Sequence, residues 1–162
     1  MASDSDGVIT SRSEFHAALQ DAFAEVARVG CRELWLCDVD FADWPLGERA
    51  VVEHLGHWAA SQRSLTLIAE NFDAVSRRHP RWVEWRRTWA HVVHCRTNVE
   101  LEAGQFPTIL LAPGLLSVRL SDTVHHLGQR SHLAAEGLRC KELIDAVLQR
   151  SEEAFPATMT GL

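Results

Sequence analysis

Asp38, Asp40 and Asp43 stand within six residues of one another, directly after the apolar run Leu34–Cys37. An apolar run of that length reads as a buried strand, and open α/β sheets place ligands in the loops at strand ends. Carboxylates held there can bind a cation, attack a phosphate or move a proton. A second group is cationic. Arg77, Arg78, Arg81, Arg86 and Arg87 share a thirteen-residue segment with Trp82, Trp85 and Trp89. The tryptophans recur at i, i+3 and i+7, the spacing of a core-facing helical stripe. Arg81, Arg86 and Arg87 then point away from it, either simply solvated or able to receive phosphate, carboxylate or nucleic acid.

The nine histidines include the close pairs His54/His57, His91/His94 and His125/His126. His54 and His57 share a helix face, but Gly56 lies between them and no Glu or Cys completes a ligand set, so no metal site is assigned. Cys31, Cys37, Cys95 and Cys140 form no C-x-x-C pair, which removes zinc-ribbon and thioredoxin-like readings. Cys37, beside the acidic loop, is expected to be a poor nucleophile with a raised pKa. There is no nucleophile elbow, P-loop or dinucleotide fingerprint.

A length of 162 residues, with 46% apolar and 23% charged side chains, describes one ordinary globular domain. The formal charge is −6 and the pI about 5.8, so neither nucleic acid nor an anionic membrane is expected as a partner. Of the sixteen basic side chains only Lys141 is a lysine. No apolar run approaches the ~20 residues that span a bilayer. The acidic, polar first residues are unlike a signal peptide. A cytoplasmic protein with reduced thiols is therefore expected.

These groups need elements to position them. Residues 1–10 read as a disordered lead-in. A helix follows from Ser11, with Phe15, Leu19, Phe23 and Val26 on one face and Gly30 closing it. Glu33–Cys37 reads as a strand, residues 47–61 as a helix and Arg63–Ala69 as a strand. Phe72–His79 reads as a short helix, stopped by Pro80, which starts the next one. His91–Arg96, Thr108–Leu111 and Leu116–Leu120 read as strands, the last two joined as a hairpin through Pro113-Gly114. Ser121–His132 reads as a polar loop and Glu136–Glu153 as the last helix. Strands alternating with helices predict one three-layer α/β/α domain over residues 11–162, with a mixed, mostly parallel sheet of about five strands.

Asp38-x-Asp40 after a strand resembles the opening of haloacid-dehalogenase-like phosphatases, in which the first Asp attacks phosphate and the second is the acid/base. That family has Thr or Val where this chain has Ala42. It also uses a lysine and a later acidic pair, and here the only lysine is Lys141. The order strand, acidic loop, helix, strand, helix, strand, hairpin, helix resembles one half of the phospholipase-D-like fold over roughly residues 30–155. Active members carry His-x-Lys in the hairpin region, and Glu102–Asp122 holds neither His nor Lys. The resemblance thus implies a degenerate enzyme, and half domains that pair imply a homodimer. Phe41-x-x-Trp44-Pro45-Leu46-Gly47-Glu48, His79-Pro80-Arg81-Trp82 and the tail Ala154-Phe155-Pro156 to Leu162 are also similar to an uncharacterised proteobacterial domain. Some of its relatives accompany an N-acetyltransferase, but no acetyl-CoA pyrophosphate loop occurs here.

The reading that results is a non-catalytic phospholipase-D-like binding module without cofactor, metal or catalytic residues. Its partner would be a second copy, another protein such as an acetyltransferase, or a small anion. Asp38, Asp40, Asp43, Arg77, Arg78, Arg81, Arg86 and Arg87 would form the binding surface. The alternative is a metal-dependent phosphate-handling enzyme using Asp38 and Asp40.

Overall fold

Ser11 starts the first helix by supplying a side-chain acceptor to a backbone amide that has no intrahelical partner. Its hydroxyl oxygen accepts from the Glu14 N–H at 3.1 Å, and the Glu14 carboxylate accepts from the Thr10 N–H and hydroxyl, both at 2.7 Å. Gly30 ends the helix at φ 89°, in the left-handed region that glycine enters without steric cost. The computed structural model describes residues 6–60 and 62–156. In chain order these form β1 (Gly7–Ile9), α1 (Arg12–Val29), β2 (Glu33–Cys37), α2 (Arg49–Trp58), β3 (Ser64–Ala69), α3 (Asp73–Arg78), α4 (Pro80–Thr88) and β4 (Val93–Thr97). There follow β5 (Thr108–Ala112), β6 (Leu116–Asp122), β7 (Leu127–Ser131), α5 (Ala134–Leu148) and β8 (Glu152–Glu153).

All eight strands join one sheet in the order β1-β7-β6-β5-β2-β3-β4-β8. The α/β class and the mixed sheet agree with the sequence reading, but the strand count and the parallel character do not. Only β2–β3 and β3–β4 pair in parallel. β5 lies antiparallel beside β2, with Leu36 opposite Leu110, and every later strand continues antiparallel. The additional strands are short: β1 and β8 form the two edges of the sheet, and β7 lies between β1 and β6. β7 lies inside the stretch read as a loop, because its inward positions are Arg130 and Ser131 rather than aliphatic residues. β1 lies inside the expected lead-in and pairs with β7, placing Val8 opposite Gln129; residues 1–5 of that lead-in lie outside the described residues. The last helix ends at Leu148, and Glu152–Glu153 pair with β4 instead of extending it.

The period-two alternation of the central strands builds two cores. Leu34, Leu36, Leu65, Leu67 and Leu110 face α1, α2 and α4, where Phe15, Phe23, Leu55 and Trp82 are buried. Cys37, Ile68, Ile109 and Leu111 face α5, against Cys140, Ile144 and Val147. Both faces of the central strands are therefore covered, which is why β2, β3 and β5 are nearly continuous apolar runs. Each such Leu or Phe contributes about 1.5–3 kcal/mol of transfer free energy on burial.

Candidate functional site

The acidic loop leaves β2 with its carboxylates committed to different tasks. Asp38 is buried, 8% exposed, beside the start of β5. It accepts from the Thr108 hydroxyl at 2.6 Å, from the Phe41 N–H at 2.8 Å and from the Asp40 N–H at 3.3 Å. Burial pushes its carboxyl above the usual range, against the Thr108, Phe41 and Asp40 hydrogen bonds that favour the charged form. The loop it holds is strained: Phe41 sits at φ 60°, uncommon for an aromatic side chain. Phe41 is also fixed from outside. Buried His79 donates through Nε2 to its carbonyl at 2.8 Å, and its ring lies edge-on to Trp44 with centroids 5.0 Å apart. Burial lowers the His79 pKa, against the bond to the Phe41 carbonyl, which favours the charged form. Gly47 leaves room for this approach: a Cβ there would lie 3.0 Å from the His79 Cα, tighter than most real contacts.

Asp40 and Asp43 turn elsewhere. Asp40 accepts from the Ala42 N–H at 2.9 Å, an Asx turn. Asp43 pairs with Arg12 at 3.1 Å and lies 3.8 Å from His126. Among the described residues no three His, Cys, Asp or Glu side chains gather as a metal-binding group. His125 pairs with Asp122 at 2.9 Å on the surface. His126 is a half-buried residue tilted against Phe15, with ring centroids 6.1 Å apart. The expected shared surface of Asp38, Asp40 and Asp43 is thus a loop framework, of which only Asp43 makes an arginine pair.

The arginine segment divides. Arg77, Arg78, Arg81 and Arg87 are exposed on α3 and α4. Arg77 donates to the Asp73 carbonyl at 3.4 Å, Arg81 to the Gly47 carbonyl at 2.8 Å, and Arg87 pairs with Glu84 at 3.3 Å. Arg86, expected on the same surface, is buried at 4% exposure. The reason is helical geometry: Arg86 lies one turn beyond fully buried Trp82 and shares its face, while Trp85 and Trp89 are half-buried beside it. The tryptophans therefore pack, as their spacing predicts. Cys37 is held well above the ordinary thiol range by burial and by the Asp38 charge.

A charged cluster that no motif announced lies where β1 and β7 meet α1. His132, following β7, meets Asp6 through Nδ1 and Glu25 of α1 through Nε2, the latter at 2.7 Å. Its backbone N–H donates to the second Asp6 oxygen at 3.2 Å. Buried Arg130 spans Glu25 at 3.1 Å and Asp21 at 3.4 Å. Burial opposes charge on the imidazole, but the Asp6 and Glu25 bonds outweigh it and raise the His132 pKa. The one available signal was Arg130-x-His132, a period-two polar pair inside the supposed loop.

No family model matches this chain, and no significant match to a curated protein was found. Solved structures do match. TrmBL2, an archaeal chromatin protein whose structure shows a novel mode of DNA binding, aligns over 92% of this chain at TM-score 0.64 and 9% identity. This chain spans only 55% of TrmBL2. NucT from Helicobacter pylori aligns over 92% of this chain and 98% of its own at TM-score 0.55 and 8% identity. At such identities the likeness concerns the fold alone. The likeness to a DNA-binding chromatin protein also corrects one expectation. Net charge and pI had spoken against nucleic acid as a partner, yet a DNA-binding protein carries this fold. A whole-chain charge sums over every surface and so hides a local basic one. No described helix is long and apolar enough to cross a membrane.

Proposed function

We propose that this chain is a non-catalytic phospholipase-D-like domain that binds the phosphate backbone of nucleic acid on the arginine surface of α3 and α4. The observation that carries this reading is the exposure of Arg77, Arg78, Arg81 and Arg87 on α3 and α4, two helices whose only acidic residues are Asp73 and Glu84. Guanidinium groups make charge-assisted, forked hydrogen bonds to phosphate oxygens and remain charged at all working pH values. The likeness to TrmBL2 supports nucleic acid as the polyanion. The tryptophans of α4 are packed inward, so bases have no aromatic platform there. Recognition is then of backbone rather than of sequence.

A non-catalytic role fits the hairpin. From Thr108 through Asp122 it carries no histidine and no lysine, and the Thr108 hydroxyl is engaged by Asp38. The phosphate-enzyme alternative needs free carboxylates at Asp38 and Asp40. Both instead accept from the loop's own backbone amides.

Fluorescence anisotropy with a labelled DNA duplex tests the proposal. Binding should weaken with salt at a slope of about −0.9 per phosphate contacted, and replacing Arg77, Arg78, Arg81 and Arg87 with Glu should reduce affinity at least tenfold. The duplex should remain intact with or without magnesium. Absence of binding at low salt, or unchanged affinity in the variant, would overturn the assignment.

A further inference from the structure

Arg86 has no ion pair and no side-chain hydrogen bond among the described residues, although it is 4% exposed. Its Nε is fully shielded and unsatisfied. Buried guanidinium groups are ordinarily paired with carboxylates or hydrogen-bonded, because an uncompensated charge out of water is strongly unfavourable. Here the Phe155 ring lies against it, with its centroid 5.0 Å from the guanidinium carbon. Phe155 itself is held at φ 46° and stacks on Phe72 with centroids 5.5 Å apart and planes 5° from parallel. The segment Glu152–Pro156 thus crosses α4 as a strap, tied to β4 by β8 and by the Ala154 N–H donating to the Cys95 carbonyl at 2.9 Å.

Arg86 lines two cavities. One, of about 350 Å³, lies between α3, α4 and the strap, with Pro80, Val83, Phe155 and Pro156 as apolar walls and Arg87 at its edge. The other, of about 390 Å³, lies over β4, with His94 and Cys95. The neighbouring acids are not available to Arg86: Glu84 pairs with Arg87, and exposed Glu153 lies on the strap.

We propose that Arg86 anchors a binding site for a small organic carboxylate, with the guanidinium fork taking the carboxylate and the cavity beside Phe155 taking an apolar body. The outer edge of the fork, its two Nη groups, has no hydrogen-bond partner among the described residues and matches a carboxylate in a two-bond arrangement, with the shielded Nε–H beside it. Apolar walls beside a buried cation are the composition of an orienting small-molecule pocket, and the other two charged groups lining it, Glu84 and Arg87, pair with each other. Inorganic phosphate lacks the apolar body and should bind more weakly. This site does not rest on the nucleic-acid reading, which uses the exposed arginines and omits Arg86.

The test is a titration of the full chain with sodium benzoate, with sodium phosphate and sodium chloride as matched controls. It is followed by the Arg86 Nε–H resonance in a nitrogen-15 spectrum and by thermal melting. Benzoate should shift that resonance saturably and raise the melting temperature, phosphate should do so at least tenfold more weakly, and chloride should not. Arg86→Met should fold and lose the benzoate response while keeping DNA affinity. Phe155→Ala, which leaves the charge in place, should weaken benzoate at least fivefold. A wild-type protein whose Nε–H resonance ignores benzoate overturns the proposal, as does an Arg86→Met protein that still responds. Phosphate binding as well as benzoate would overturn the carboxylate assignment. If Arg86→Met does not fold, the wild-type resonance and Phe155→Ala still decide.

Discussion

Replacing Asp38 with Asn and with Ala separates a hydrogen-bonding role from a charged one. In the native loop one Asp38 oxygen accepts from Thr108, and the other accepts from Phe41 and Asp40. In Asp38→Asn the new side chain would keep its carbonyl oxygen on the two amides and turn its NH2 toward Thr108, whose hydroxyl accepts as readily as it donates. Asp38→Ala leaves the buried Phe41 amide and the Thr108 hydroxyl unsatisfied. At about 1–3 kcal/mol for each of these two buried groups, the alanine substitution should cost about 2–6 kcal/mol. For a domain of this size, at about 2–4 °C per kcal/mol, that is a fall of about 4–24 °C in Tm. Asp38→Asn should cost less than about 1 kcal/mol near neutral pH, because every partner keeps a hydrogen bond.

The pH dependence sharpens the comparison. The folded carboxyl titrates above its unfolded value of about 3.9, so the native state binds the proton more tightly. The stability this contributes is complete below the unfolded value and is lost as pH rises through the raised one. The wild type should therefore lose ground to Asp38→Asn between about pH 4 and neutrality. Urea denaturation of the wild type and both variants across that range measures it. An Asn variant as unstable as the Ala variant at pH 7 would refute the reasoning, since it would mean that the negative charge itself is what the loop requires.

Two further outcomes follow from other sites. The raised His132 pKa means that the tie to Asp6 and Glu25 stabilises β1 fully below about pH 6.5 and is lost as pH rises through the folded value. Amide exchange in Gly7–Ile9 should therefore accelerate above neutrality, after correction for intrinsic rates, and His132→Gln should abolish that pH dependence. Gly128→Ala should destabilise by about 3 kcal/mol or more, because a Cβ would lie 2.0 Å from the Arg119 carbonyl oxygen on β6. A Gly128→Ala protein that melts like the wild type would show that β6 and β7 separate more easily than their register implies.

Local pattern along the chain was enough to place the central strands β2, β3 and β5, the first helix and the inward tryptophans. Their signals span a few residues each: an apolar run of five or six, a serine cap, a stripe at 3.6-residue spacing. The acidic loop was legible as a loop at a strand end, but its chemistry was not. Folding settled that, because Thr108, seventy residues away, is the group that meets Asp38. The same holds for the short outer strands. β1, β7 and β8 bury little apolar surface, so no periodicity marks them, and they exist only because a neighbouring strand supplies the other half of each hydrogen bond. His132 with Asp6 and Glu25, and Arg86 under Phe155, are likewise invisible along the chain. Each joins side chains that only the folded backbone brings within reach, and side-chain electrostatics acts over a few ångströms of space, whatever the distance in sequence.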